Sequence, residues 1–325
     1  MYTSLPESPQ GVGDIIGLAF RIVRRNIGTI FRFILVPSLF TVLAGIVFQW
    51  VFTYGTAAIS ESKNFAAALG LAGACFVAMI LGAIAWWVLG LRLLALTRVV
   101  LGFSPSLEEA SQYMSRRKFG LVGLYLLYLV LFSAAMVCWF VITFLGIFVG
   151  SVGGAGTGID ALKAVVVALF SVFGISGMVM TAAFYIFAST LSYCILACEN
   201  LPVSSVIGRS LQFSGKYFWR ALAFALVFSI AFSIISYPLS LPVAVIAFID
   251  ALQHGLASAG EGVGAAYKPP LYILVLTQAW EAAMGFILRP LVFFAFGLFY
   301  YDLRLRNEGL DLQRKLELIE APAKT

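Results

Sequence analysis

Long apolar runs separated by short polar segments dominate this chain. A helix that crosses a bilayer needs about 20 consecutive, mostly apolar residues. Six runs meet this requirement, at residues 33–53, 66–91, 119–149, 164–197, 221–249 and 271–301. The pattern predicts an all-α integral membrane protein, with six transmembrane helices bundled in a single membrane domain over residues 1–325.

Three shorter segments of mixed polarity precede the first, third and fifth spans. Each begins near a proline and ends in basic residues, which is typical of a helix that starts at the proline. We predict cytoplasmic interfacial amphipathic helices at about residues 11–30, 105–118 and 202–214. The sequence RRNIG at residues 24–28 aligns with RRKFG at residues 116–120, which suggests a threefold repeat of interfacial helix plus helical hairpin. Anionic lipid would favour these basic segments, but ordinary basic flanks without lipid preference explain them equally well.

The composition agrees with a membrane location. Hydrophobic residues make up 62% of the chain and charged residues 11%, against about 45–50% and about 25% in soluble domains. The formal charge of +6 is too small to indicate a nucleic-acid partner. Membrane lipid is the predicted partner, and protein partners or a homo-oligomer stay open. Gly146 and Gly150 form a small-xxx-small pattern that fits either dimerisation or packing within one bundle.

The basic residues also predict an orientation. With six spans and both termini in the cytoplasm, 17 of the 21 Lys and Arg residues lie in cytoplasmic segments. Only Lys63, Lys163 and Lys268 lie in outer loops, and Arg289 lies inside a span. Cytoplasmic loops of membrane proteins carry such an excess of positive charge. We therefore expect a multi-pass plasma (inner) membrane protein with cytoplasmic N- and C-termini.

The sequence offers little material for catalysis. It contains no HExxH, GxSxG or Walker motif, and its one histidine, His254, follows the fifth span. The four cysteines are best interpreted as small, apolar-like residues within or beside spans. We predict no catalytic, cofactor-binding or metal-binding residues, and we expect a protein that is not an enzyme.

Two spans carry unusual residues. In the fifth span, Pro238 and Pro242 predict either a kink or a broken helix of the kind that lines transporter sites. In the sixth span, Arg289 lies 12 residues before Tyr301, about 18 Å along a helix and so near mid-bilayer. Glu281 lies eight residues earlier, too far for direct pairing. Arg289 either caps backbone carbonyls that the prolines free or binds an anionic headgroup or solute, and these four residues are the candidate ligand or lipid contacts.

The sixth span leads into the stretch YYDLRLRNEGLDL at residues 300–312. Tyr300 and Tyr301 fit an aromatic belt at the membrane surface. Asp302 with Arg306, and Arg304 with Glu308, have the spacing of ion pairs on one helix face. Gly309 is then expected to end the helix, within a cytoplasmic tail at residues 302–325.

Three patches resemble a bacterial family of multi-pass proteins named after the membrane domain of glycerophosphoryl diester phosphodiesterase. They are SPQGVGDIIGLAFRIVRRN near the start, ENLPVSSVIGRSLQFSGKYFWR in the middle and YYDLRLRNEGLDL near the end. The resemblance implies a six-span module without the catalytic phosphodiesterase domain. Tyr300, Tyr301, Asp302, Arg304, Arg306, Glu308 and Gly309 carry its C-terminal signature.

We expect a non-enzymatic membrane module that organises partner proteins or lipids. The alternative is a transporter or permease-like protein, with an anionic-ligand site near Arg289 and the broken fifth span.

Overall fold

A computed structural model describes residues 5–6, 8–62, 65–152, 159–258 and 270–309. Within these residues every regular element is an α-helix. The eight helices are α1 (Val12–Ser62), α2 (Phe65–Val100), α3 (Leu107–Arg116), α4 (Lys118–Val152), α5 (Ile159–Cys198), α6 (Val203–Lys216), α7 (Phe218–Ser258) and α8 (Leu271–Glu308).

Six of these helices are long and apolar enough to cross a membrane, namely α1, α2, α4, α5, α7 and α8. The prediction of an all-α fold with six spans is thereby confirmed, and the chain is a multi-pass membrane protein. The helices extend beyond the predicted spans, and α1 does so through Gly28 and Gly55, because an isolated glycine lowers helix stability without ending the helix. The most apolar window of α8 is 61% buried by protein, against 6–22% in the other five helices. In the other five, most of this apolar window is therefore not covered by protein.

The fifth span is continuous rather than broken. Helix α7 has 41 residues and runs through Pro238 and Pro242. Each proline removes one backbone donor, and nearby serines form hydrogen bonds inside the helix, such as Ser240 Oγ to the Tyr237 carbonyl at 2.9 Å. The prediction of a broken fifth span is wrong.

The first amphipathic segment is not a separate helix. Helix α1 begins at Val12 and continues for 51 residues. Neither glycine nor proline occurs at residues 30–33, where the predicted amphipathic segment meets the first predicted span. The apolar residues of the segment at 11–30 are largely buried in protein, at Ile15, Ile16, Ala19, Ile22, Val23 and Ile30. Leu18 is half-buried and Ile27 is 47% exposed. The placement of this face in the headgroup layer is not confirmed.

The second and third amphipathic segments form separate short helices, α3 and α6. A single residue separates each from the span that follows, Arg117 in one case and Tyr217 in the other. The second residue of each following span is a highly exposed aromatic, Phe119 at 76% and Trp219 at 77%. These similarities agree with a repeat of the second and third units, and the threefold repeat and interfacial location stay predictions.

By packing, the chain divides into two compact units. The first comprises residues 1–115 and 226–299, and the second comprises residues 116–225 and 300–325. Helices α7 and α8 contribute residues to both units, so the single membrane domain stays a prediction. In the first unit α1 packs on α2, and in the second α4 packs on α5.

Glycines permit the close approach of α4 and α5. A Cβ atom at Gly146 would overlap Phe170, and one at Gly174 or Gly177 would overlap Thr143 or Trp139. Gly146 thus packs within the α4–α5 hairpin. This agrees with one of the two interpretations of the Gly146–Gly150 pattern, namely packing within one bundle. The contacts of Gly150, the other glycine of that pattern, lie outside what the structure describes.

Candidate functional site

Arg289 occupies the position that the sequence analysis singles out, on α8 within the first unit. Its side chain is half-buried and lies along the preceding turn of α8. The guanidinium carbon is 3.0 Å from the position a Cβ would take on Gly285. Gly285 therefore leaves room for the guanidinium to lie along the helix. The guanidinium carbon is 4.9 Å from the ring centroid of Trp86 on α2, within cation–π range.

A cavity of about 300 Å³ lies beside this arginine. Its walls come from α1, α2 and α8. Its polar side chains are Thr41, Gln278, Glu281 and Arg289, and Phe48 and Trp86 are its aromatic ones. Small residues such as Gly45, Gly82 and Ala282 supply much of the remaining wall and so leave the space open.

Arg289 lacks the partners that a buried cation usually has. Among the described residues it forms no ion pair within 4.0 Å and no hydrogen bond, and its close contact is the ring of Trp86. Glu281 lines the same cavity but is exposed and forms no ion pair with it there. Within that part of the chain Arg289 also caps no backbone carbonyl, so the capping interpretation finds no support. The arrangement favours an anionic group in the cavity.

The two prolines of the fifth span are not part of this site. Pro238 and Pro242 are exposed and do not line the cavity. Between them, the Leu239 carbonyl accepts a hydrogen bond of 2.6 Å from Trp280 Nε1 on α8. The structure therefore brings Glu281 together with Arg289 at one cavity and leaves the prolines outside it.

The C-terminal signature residues form a second site, within the second unit. Asp302 is 2% exposed and accepts Arg220 at 2.7 Å and Arg306 at 3.0 Å. Glu308 accepts Arg304 at 2.7 Å and also pairs with Arg209. We call the following set the α8-terminal cluster: Glu199, Arg209, Arg220, Tyr300, Asp302, Arg304, Arg306 and Glu308.

Glu199 is the acidic residue that ties this cluster to the end of α5. Arg209 lies 3.1 Å from its carboxylate and Arg304 lies 3.7 Å from it. The hydroxyl of Tyr300 donates a hydrogen bond to the same carboxylate. The cluster thus consists of two groups, Asp302 with Arg220 and Arg306, and Glu199 with Arg209, Arg304 and Glu308. Each group joins the last turns of α8 to a neighbouring part of the second unit.

The two tyrosines of the signature are buried, and their assignment to an aromatic belt is wrong. Tyr300 is fully buried, its ring centroid 6.4 Å from that of Phe213, and Tyr301 is 4% exposed. The reason is that α6 and the end of α5 cover this face of α8. Phe119 and Trp219, near the start of α4 and α7, are exposed aromatic residues instead.

Sequence reasoning found the pairs inside α8 and missed the residues that meet them from other helices. The i,i+4 pairs Asp302–Arg306 and Arg304–Glu308 are both present. Glu199, Arg209 and Arg220 were not named as site residues, although all three lie in the middle patch that carries the family resemblance. The sequence offered one indication of these missed residues: Glu199 is a charged residue at the very end of an apolar run.

Basic residues at the helix junctions make equivalent contacts in the second unit. Arg117, before the α4–α5 hairpin, donates to the carbonyls of Glu199 at 3.2 Å and Leu201 at 2.8 Å just after that hairpin. Lys216, before α7, contacts Asn307 near the end of α8 at 2.6 Å. In both cases a junction residue holds the end of the hairpin that follows it.

No protein-family model, characterised protein or solved structure matches the chain. The function must therefore be argued from the two sites themselves.

Proposed function

We propose that this chain is a non-enzymatic multi-pass membrane module that organises lipids or partner proteins, and that it binds an anionic group in the cavity beside Arg289. The observation that carries the proposal is the state of Arg289. This guanidinium lies in a transmembrane helix and lines a cavity, and it has no acidic partner within 4.0 Å among the described residues.

The energetics support a ligand at this place. A central arginine costs at least about 2.5 kcal/mol on insertion scales. A cation–π contact with Trp86 returns about 0.5–2 kcal/mol, so it offsets only part of that cost. An anion that accepts hydrogen bonds from the guanidinium would supply the rest. The cavity of about 300 Å³ fits a compact group such as a phosphate or a carboxylate with a short substituent.

The alternative is a transporter or permease-like protein, and one observation favours it. Arg289 is the nineteenth of the 38 residues of α8 and so lies near the middle of that helix, and transporters bind substrates near the bilayer midplane. Against it, the proline-containing helix α7 supplies no residue to the cavity lining. The two functions share the site and differ in whether the bound group crosses the membrane.

We also propose that the protein lies in a bacterial plasma membrane with both termini in the cytoplasm. The support is the distribution of Lys and Arg, 17 of 21 of which then fall on the cytoplasmic side. Membership of the phosphodiesterase-membrane-domain family remains part of this proposal. Two of the patches that suggest it, at residues 199–220 and 300–312, contribute the residues of the α8-terminal cluster.

Native mass spectrometry of the full chain, extracted in native nanodiscs, tests the proposal. It reports bound small molecules, lipids, partner proteins and oligomeric state together. We expect a bound anionic species that Arg289→Leu abolishes and that Arg289→Lys partly retains, since lysine keeps the charge without the planar donors. A specific co-purifying protein would support the partner-organising role.

Thermal unfolding of the same variants provides the control. If Arg289→Leu lowers the unfolding temperature and leaves the bound species unchanged, the role of Arg289 is structural and the proposed site is wrong. Uptake of the identified anion into proteoliposomes would favour the transporter over the module. Gln278→Leu changes another residue of the cavity lining. It should reduce the amount of bound species by less than Arg289→Leu does, because it removes no charge.

A further inference from the structure

A second cavity, of about 490 Å³, lies between α1 and α2 in the first unit. Its lining is apolar apart from one residue, Arg92. Much of that lining is exposed, including Phe40 at 61% and Ile84 at 51%. Because the walls are apolar side chains of two membrane-spanning helices, the space is a groove that faces lipid. We call it the α1–α2 groove.

The length of the groove matches one leaflet. On α1 it extends from Val36 to Val47, a distance of about 17 Å at about 1.5 Å per residue. The hydrocarbon core of a bilayer is about 30 Å thick, so one leaflet is about 15 Å deep. Small side chains, Ala44, Ala78 and Ala85, belong to the lining and leave room between the helices. The groove therefore has the length and polarity of a single acyl chain.

Arg92 lies at one end of this groove. It donates a hydrogen bond to the Phe33 carbonyl, and its guanidinium carbon is 5.2 Å from the Phe33 ring centroid. A guanidinium has five N–H donors, and among the described residues this hydrogen bond is the one Arg92 makes. No carboxylate there lies within 4.0 Å of it. Most of its donors thus have no protein acceptor in that part of the chain.

Arg32 adds a second cation at the same end. It directly precedes Phe33, the residue that Arg92 contacts, and its side chain is exposed. It too forms no ion pair or hydrogen bond among the described residues. Two arginines without acidic partners next to an apolar groove favour a ligand with an anionic head and an apolar chain, because planar guanidinium donors fit phosphate oxygens.

We propose that the α1–α2 groove binds one acyl chain of an anionic phospholipid whose phosphate lies between Arg92 and Arg32. The site is separate from the Arg289 cavity. Ala44 and Ala78 line both spaces, but Arg92 lines the groove and not the cavity, and Arg289 lines the cavity and not the groove. The lipid would fill the groove from the leaflet at which α1 enters the membrane.

Native mass spectrometry after reconstitution tests this binding. The full chain is placed in nanodiscs of dioleoylphosphatidylglycerol or dioleoylphosphatidylcholine and then released into detergent. We expect one retained phosphatidylglycerol and at least tenfold less retained phosphatidylcholine. Arg92→Gln and Arg32→Gln should each reduce phosphatidylglycerol retention to the phosphatidylcholine level. Arg32→Gln keeps the test valid if Arg92→Gln fails to fold, since Arg32 makes no described contact that folding would lose.

A variant that fills the α1–α2 groove with a larger side chain is compared with the same change at an exposed position on α4. Ile84→Trp should abolish retention of both lipids, whereas Val130→Trp, at a 63% exposed position on α4, should leave it unchanged. Retention that survives Ile84→Trp, or that falls equally in Val130→Trp, would overturn the proposal, as would an adduct of inorganic phosphate in place of lipid. Arg289→Leu should not change phosphatidylglycerol retention, so this proposal and the proposed function can fail independently.

Discussion

Arg220 and Asp302 form an ion pair of 2.7 Å that joins the first turn of α7 to the last turns of α8. The carboxylate is 2% exposed and also accepts Arg306 at 3.0 Å, one turn further along α8. A buried carboxylate is tolerated only when cations and hydrogen bonds compensate for its lost hydration. Asp302 has such compensation from two helices, so it fixes where the end of α8 lies against the start of α7.

Replacing Asp302 with Asn should therefore destabilise the protein. The change leaves two arginines near a neutral side chain, and removal of one partner of a buried pair costs about 3–5 kcal/mol. We expect the lower end of this range because Arg220 and Arg306 are 24% and 32% exposed and can recover hydration. The midpoint of thermal unfolding in detergent measures the effect.

Glu308→Gln is the matched control for that change. Glu308 is 25% exposed against 2% for Asp302, so it keeps part of its hydration and needs less compensation from its arginine partners. Its loss should lower the unfolding midpoint much less than Asp302→Asn does. Equal effects of the two variants would contradict the role assigned to Asp302.

The adjacent tyrosines provide a second test of the cluster. Tyr300→Phe removes the hydroxyl that donates to Glu199, and a hydrogen bond to a charged group contributes about 1.5–3 kcal/mol. The Tyr301 hydroxyl is buried and has no hydrogen-bond partner among the described residues, so Tyr301→Phe should be neutral or slightly stabilising. Tyr300→Phe should thus lower the unfolding midpoint, and Tyr301→Phe should leave it unchanged or raise it slightly. A larger loss for Tyr301→Phe would show that the hydroxyl contacts are assigned to the wrong residue.

The sequence alone predicts those features of this protein that depend on neighbouring residues. Six apolar runs predict six spans, and i,i+4 spacing predicts Asp302–Arg306 and Arg304–Glu308. Gly309 ends α8 as expected, with a positive φ of 59° that a glycine adopts without strain. Each of these predictions needs only helix geometry.

Features that depend on packing between distant segments were missed or wrong. Arg220 and Asp302 are 82 residues apart, so their pairing follows from how helices pack and not from any local pattern. The same limit applies to Tyr300, which has the composition of a belt residue but is covered by α6. The cavity beside Arg289 could not be predicted either, because Thr41 and Trp86 reach it from α1 and α2.

The α4–α5 hairpin should be sensitive to side chains at its glycines. A methyl group at Gly177 would overlap the Trp139 ring, which is held by a 2.8 Å hydrogen bond from its Nε1 to Thr181. Gly177→Ala must displace that ring, and overpacking of this kind costs about 1–3 kcal/mol. We expect a lower unfolding midpoint in detergent.

Gly123→Ala on α4 is the control for that substitution. No atom lies within 4 Å of the position its Cβ would take. Alanine favours a helix over glycine by about 1 kcal/mol, so this variant should be as stable as the parent or more so. If Gly177→Ala is equally well tolerated, the two helices do not pack as closely as described.

Cysteine labelling tests the orientation that the basic residues predict. Glu261→Cys and Gln313→Cys are made separately in a chain whose Cys75, Cys138, Cys194 and Cys198 are replaced by alanine; both new positions lie outside the described residues. With six crossings and cytoplasmic termini, a membrane-impermeant maleimide should label residue 261 in intact cells. It should label residue 313 only after the cells are permeabilised, because the 17 basic residues on that side oppose translocation. If both positions are labelled in intact cells, they lie on the same side of the membrane, and the single crossing predicted between them is wrong. If residue 313 alone is labelled, the orientation is the reverse of the predicted one.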